Sequence, residues 1–148
     1  MRGDQTIGLG LDEQLCFALY AASRAVTVRY RPLLDELALT YPQYLVMLAL
    51  WQHGPLSVRG LGAELQLDSG TLSPLLKRLE AAGLVLRERS ALDERSVVVT
   101  PTEAGMALRE QAAAIPPVIA ASTGLDLDEL ERLRESLRTL AARVQPDG

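Results

Sequence analysis

The chain has 148 residues, 48% apolar by type and 23% charged, with a net charge of −4 at neutral pH. That length predicts one domain with a real core. A single cysteine excludes an internal disulfide or a multi-cysteine zinc site, and a single histidine leaves too few parts for a histidine metal cluster or a hydrolytic triad.

No run reaches the ~18 continuous apolar residues of a membrane span, and no basic region followed by an apolar stretch opens the chain. The expectation is a protein of the reducing cytoplasm, with no metal, no cofactor and no membrane partner. Residues 1–10 carry no periodic pattern and are expected to be a flexible N-terminus.

A helix is expected from Leu11 or Asp12, with Leu15, Ala18, Leu19, Ala22 and Val26 as its apolar stripe. Cys16 lies beside that stripe, about one turn into the helix, where the dipole favours an anion. Pro32 fits the opening of a second short helix, Leu33 to Ala38. Thr40-Tyr41-Pro42-Gln43 reads as a capping box for a helix carrying Tyr44, Leu45, Leu48 and Trp51. His53 should sit at its end, near the terminal carbonyls. Tyr20 and Tyr44 have helical spacing and read as packing residues. Residues 11–55 thus form a helical segment.

From Leu56 to Thr100 the order is helix, turn, helix, strand, charged loop, strand. Ser57 caps the first helix, whose Val58, Leu61 and Leu65 face inward, and Asp68 or Ser69 caps the second. Leu72, Leu75, Leu76 and Leu79 give the second helix one apolar face. The other face presents Ser69, Thr71, Ser73, Lys77 and Arg78, small or cationic side chains that fit a DNA major groove. Pro74 is expected to cost at most a first-turn hydrogen bond. Gly83 supplies a left-handed stop, and strands follow at Leu84-Val85-Leu86 and Val97-Val98-Val99. The intervening RERSALDERS is too long for a tight hairpin and rich in arginine, as a wing would be. Base readout is expected from Ser69, Thr71 and Ser73, with Lys77 and Arg78 on phosphate. From Arg59 to Arg95, six cations face six acids, so the net negative charge lies entirely in the flanks.

Thr100-Pro101-Thr102-Glu103 suggests a second capping box with Pro101 at the first helical position, and Pro116-Pro117 should end or bend that helix. Asp126 caps the last helix, where Leu130, Leu133, Leu137, Leu140 and Val144 form a heptad-like seam. A seam on so short a chain calls for a second copy. The expected architecture is mostly α with a small β wing: a winged helix-turn-helix (56–100) inside a helical dimerisation frame (11–55 and 101–148).

From about Leu11 onward the chain resembles the MarR family of bacterial transcriptional regulators, winged-helix homodimers that bind pseudo-palindromic double-stranded DNA. The wing motif D-x-R stands here as Asp93-Glu94-Arg95, followed by SVVVTPTEAG. The resemblance implies Arg95 as a minor-groove contact and Asp93 as its support. Within the family, DEQLCFALYAASRAVTVRYRPLLDELALTYPQY and LDSGTLSPLLKRLEAAGLVLRERSALDERSV look most like the branch of organic-hydroperoxide-resistance repressors. That branch has a reactive cysteine on its first helix, hydrogen-bonded by two tyrosines of the other subunit, and Cys16, Tyr30 and Tyr41 match those positions. No second cysteine exists here, so the likeness is to the one-cysteine type, and three fates stay open for the oxidised sulfur: a mixed disulfide with a low-molecular-weight thiol, a sulfenamide, or overoxidation. Two other readings stay open: a regulator governed by a phenolic ligand with an inert Cys16, and a thiol peroxidase.

Overall fold

The computed structural model describes residues 6–146. A 3₁₀ turn (Leu11–Glu13) leads into helices α1 (Leu15–Asp35) and α2 (Tyr41–His53). Next come strand β1 (Leu56–Ser57), helices α3 (Val58–Leu65) and α4 (Ser69–Ala81), and strands β2 (Val85–Arg89) and β3 (Val97–Pro101). Helices α5 (Glu103–Ala112), α6 (Ile115–Ser122) and α7 (Leu127–Val144) complete the chain. The mostly helical fold with a small antiparallel sheet agrees with expectation. The sheet order is β1-β3-β2, with Arg87 opposite Val99 and Leu56 opposite the same residue on the other side.

Helix α2 is the central post. Tyr44, Val46, Met47, Ala49 and Leu50 are all buried, because α1, α3, α4, α5 and β3 pack around it. A helix surrounded in this way is apolar on nearly every side. Of the four residues named on it from the sequence, Tyr44 is buried, Leu45 and Trp51 are half-buried and Leu48 is 37% exposed, while Val46 and Met47 are fully enclosed. Trp51 is half-buried, and its indole Nε1–H donates to the Gly105 carbonyl at 3.0 Å, tying α2 to α5. Gly105 has no substitute there, since a Cβ would run into the Leu84 carbonyl.

Side-chain caps set the helix starts. Thr40 and Gln43 form the reciprocal capping box, and Ser57, Asp68, Thr102 and Asp126 each accept the backbone N–H three residues on. The box expected at Thr100 does not form, and a simple cap stands two residues on. Thr100 and Pro101 belong to β3, opposite Leu86 and Val85, and Thr102 is the cap. Pro116 and Pro117 open α6, a separate helix, rather than ending α5. First-turn N–H groups have no partner inside a helix, so prolines are tolerated there.

No separate helix spans Leu33 to Ala38: α1 runs through Pro32 to Asp35. Pro32 cannot donate to Val28, but Val28 is exposed, so its carbonyl is not shut away from solvent. Pro74 stands in the second turn of α4, not the first, and the bond it lacks is to the exposed Gly70. Of the N-terminal segment, residues 1–5 lie outside the described residues. Gly8 and Gly10 are held by the Gln14 side chain, which donates to both carbonyls.

The two longest helices have little of their own chain beneath them. Along α1 only Leu34 is buried, and Leu15, Phe17, Val26 and Val28 of its apolar surface are exposed. Tyr20 is 59% exposed, with the Arg24 guanidinium over its ring, so within the chain it does not pack. Helix α7 buries no residue at all, and Leu133 and Leu137 of its seam are 47% and 40% exposed. No helix among the described residues is long and apolar enough to cross a membrane.

Candidate nucleic-acid interface and cysteine site

Helix α4 divides its surface cleanly. Leu72, Leu75, Leu76 and Leu79 are buried, while Ser69, Thr71, Ser73, Lys77 and Arg78 are all exposed. Asp68 fixes the start, its Oδ1 accepting from Thr71 N–H at 2.7 Å, which holds its carboxyl below the usual range. The far end closes in a Schellman turn: Leu84 N–H reaches Leu79 O and Gly83 N–H reaches Glu80 O, with Gly83 at φ +78°. That turn passes the chain into β2.

The wing is a structured loop. Ser90 N–H donates to Ser96 O, Leu92 N–H to Ser90 Oγ, and Ser96 N–H to Asp93 O. The Asp93 carboxylate accepts from Arg95 N–H at 3.0 Å, fixing the backbone on which the exposed Arg95 side chain stands. At the wing's root, Glu80 of α4 grips β2: its Oε2 accepts from Arg87 N–H at 2.9 Å and its Oε1 pairs with the guanidinium at 3.3 Å. That backbone N–H is the main reason the Glu80 carboxyl is held below its ordinary range.

Between α4 and the wing lies a cleft of about 650 Å³, bringing together Ser69, Ser73, Asp93 and Arg95 of the expected interface. Its lining adds Ser57, Arg59 and Arg87, which helical periodicity did not single out. Thr71, Lys77 and Arg78 are outside the cleft and exposed on the rest of the α4 surface.

The balance of six cations and six acids holds in the structure, but the two signs are placed differently. Four of the six acids in this region are engaged: Glu64 by His53 at 2.7 Å, Glu80 by Arg87, and Asp68 and Asp93 by backbone N–H groups. His53 therefore meets a carboxylate of α3, not the carbonyls that end its own helix. Among the described residues Arg59, Lys77, Arg78, Arg89 and Arg95 have no carboxylate partner. The segment stays neutral in sum, but these five cations are free of direct carboxylate contact among the described residues.

Cys16 is exposed, at the second position of α1. Tyr30 sits fourteen residues along the same helix, about 21 Å away at 1.5 Å per residue. One chain therefore does not bring Cys16 to Tyr30 or Tyr41. The tyrosines meet each other instead, with ring centroids 5.0 Å apart, and Tyr44 completes the group 5.8 Å from Tyr30. Burial raises all three phenols above their usual range, Tyr44 to about 12, so each keeps its O–H as a donor at neutral pH.

Comparison with known proteins extends these observations. Residues 39–97 match the MarR family. Over 130 residues the chain is 51% identical to the organic hydroperoxide resistance transcriptional regulator of Bacillus subtilis, covering 88% of each chain. Among solved structures, AbfR of Staphylococcus epidermidis superposes with a TM-score of 0.76 at 37% identity, over 90% of this chain and 92% of that one. Reduced AbfR bound to DNA superposes with a TM-score of 0.75 at 37% identity, covering 91% and 94%.

Proposed function

The chain belongs to the MarR family, and from that premise we propose that it is a homodimeric, cytoplasmic repressor that releases its operator when an organic hydroperoxide oxidises Cys16. It acts as a regulator and not as a turnover catalyst. The observation that carries the DNA half is the exposed set of Lys77, Arg78 and Arg95 on α4 and the wing, none of them held by a carboxylate among the described residues. Residues 56–100 bind DNA: Ser69, Thr71 and Ser73 face base edges, Lys77 and Arg78 the phosphates, and Arg95 the minor groove, with Asp93 bracing it. Residues 11–55 and 101–148 form the dimer frame, since the apolar surfaces of α1 and α7 lack a cover within the chain.

The sensing half is supported by the exposed thiol, the two protonated phenols and the likeness to the Bacillus regulator. In a dimer, Tyr30 and Tyr41 of one copy donate hydrogen bonds to Cys16 of the other. The Cys16 thiolate attacks the terminal peroxide oxygen, the O–O bond breaks, and the alkoxide leaves and takes a proton as an alcohol. The resulting sulfenic acid condenses with a low-molecular-weight thiol, giving a mixed disulfide and water. Either product disturbs the tyrosine contacts and so the spacing of the two wings.

Fluorescence anisotropy on DNA from upstream of its own gene tests this reading, with hydroperoxide titrated into wild type and Cys16→Ser. The expected result is release of wild type alone, with mass spectrometry placing the oxidation on Cys16. If peroxide moves neither protein, the sensor assignment fails and DNA binding stands.

A further inference from the structure

We propose that the cleft between α4 and the wing seats the phosphodiester strand that separates the major groove from the minor groove, with Arg59 as the cation that neutralises it. The inference rests on the DNA-binding reading above and adds a contact residue to it. If α4 enters one groove and the wing the next, the backbone between them must pass through the space between α4 and the wing. That space is the 650 Å³ cleft. Ser57 and Ser96 wall it with short hydroxyl side chains that leave room for a sugar-phosphate chain and can donate to its oxygens, while Ser69 and Ser73 border it on the side of α4 that faces the bases.

Three arginines reach the cleft, and their surroundings differ. Arg87 is held by Glu80, so much of its charge is already answered. Arg95 stands on the wing, placed for the groove beyond. Arg59, on the first turn of α3, is exposed and has no carboxylate partner among the described residues. The first helix of a helix-turn-helix crosses the DNA backbone, and α3 is that helix here.

A phosphate contact has a signature that base readout lacks. Arg59→Ala should lower affinity by a similar factor on the upstream duplex and on an unrelated duplex of the same length. It should also reduce the slope of log K against log salt by about 1. Release of one counterion fewer corresponds to a loss on the order of tenfold at 0.1 M salt. Arg59→Lys should keep the wild-type slope. Unchanged affinity and slope in Arg59→Ala, or a loss confined to one of the two duplexes, would overturn the assignment while leaving the DNA-binding reading intact. Failure of the wild type to bind either duplex at low salt would overturn that reading as well.

Discussion

The winged unit and the two long helices at the ends of the chain are both written in leucine and alanine at helical spacing, yet they finish in opposite states. In α4 every leucine of the apolar face is at most 9% exposed, sealed by α2, α3 and β2. In α7 a seam of the same composition buries nothing. The winged unit is complete within one chain, whereas α1 and α7 present surfaces that only another molecule can cover. Apolar periodicity reports that a face will be buried, not by whom.

The largest effect should come from the finished half. Leu79→Ala, in a site with no solvent exposure, should cost about 2–5 kcal/mol through lost burial and the cavity left behind, read from the urea midpoint. A cost below about 1 kcal/mol would mean that the unit repacks and is less closed than described. Leu137→Ala tests the unfinished half. It should weaken dimer association by about 1–2 kcal/mol for each copy, seen in sedimentation at graded concentrations, and make the unfolding midpoint fall on dilution. A midpoint independent of concentration, in wild type as in the variant, would remove the contrast, because α7 would then need no partner.

The smallest effect concerns the joint between α4 and the wing. Glu80 has a lowered folded-state pKa, chiefly from the Arg87 N–H. Its contribution is therefore fully present above the ordinary carboxylate value of about 4.3, and is lost as pH falls through the lowered one. Stability of wild type should fall more steeply than that of Glu80→Gln between about pH 5 and pH 3, measured by denaturant titration at each pH. Parallel curves would show that Glu80 does not clamp the wing.

Legibility followed the range of the interactions. The leucine face of α4, the Asp68 and Ser57 caps and the Gly83 stop are local, and each was readable from residues a few places apart. Strand β1 is two residues long and exists only because β3 offers it a partner more than forty residues on, Leu56 pairing with Val99 and Ser57 with Val98, so no local pattern marks it. The absence of the expected box at Thr100 has the same origin. Thr-Pro-Thr-Glu offers two threonines, and pairing of Thr100 with Leu86 in the sheet selects Thr102 as the cap. Arg59 was counted as a charge but not as a contact, because its place in the cleft depends on how α3 sits against the wing. The grouping of Cys16 with Tyr30 and Tyr41 rests on resemblance alone, since along α1 the thiol and Tyr30 are about 21 Å apart.

Trp51, whose indole N–H is held by the Gly105 carbonyl, is the chain's single tryptophan. Excitation at the red edge of the indole band therefore selects one chromophore, seated where α2 meets α5. This is the joint at which the N-terminal helical segment meets the helices that follow the winged unit. A shift between them alters the polarity around one ring, so the protein carries its own optical reporter of that joint, usable in solution without a label.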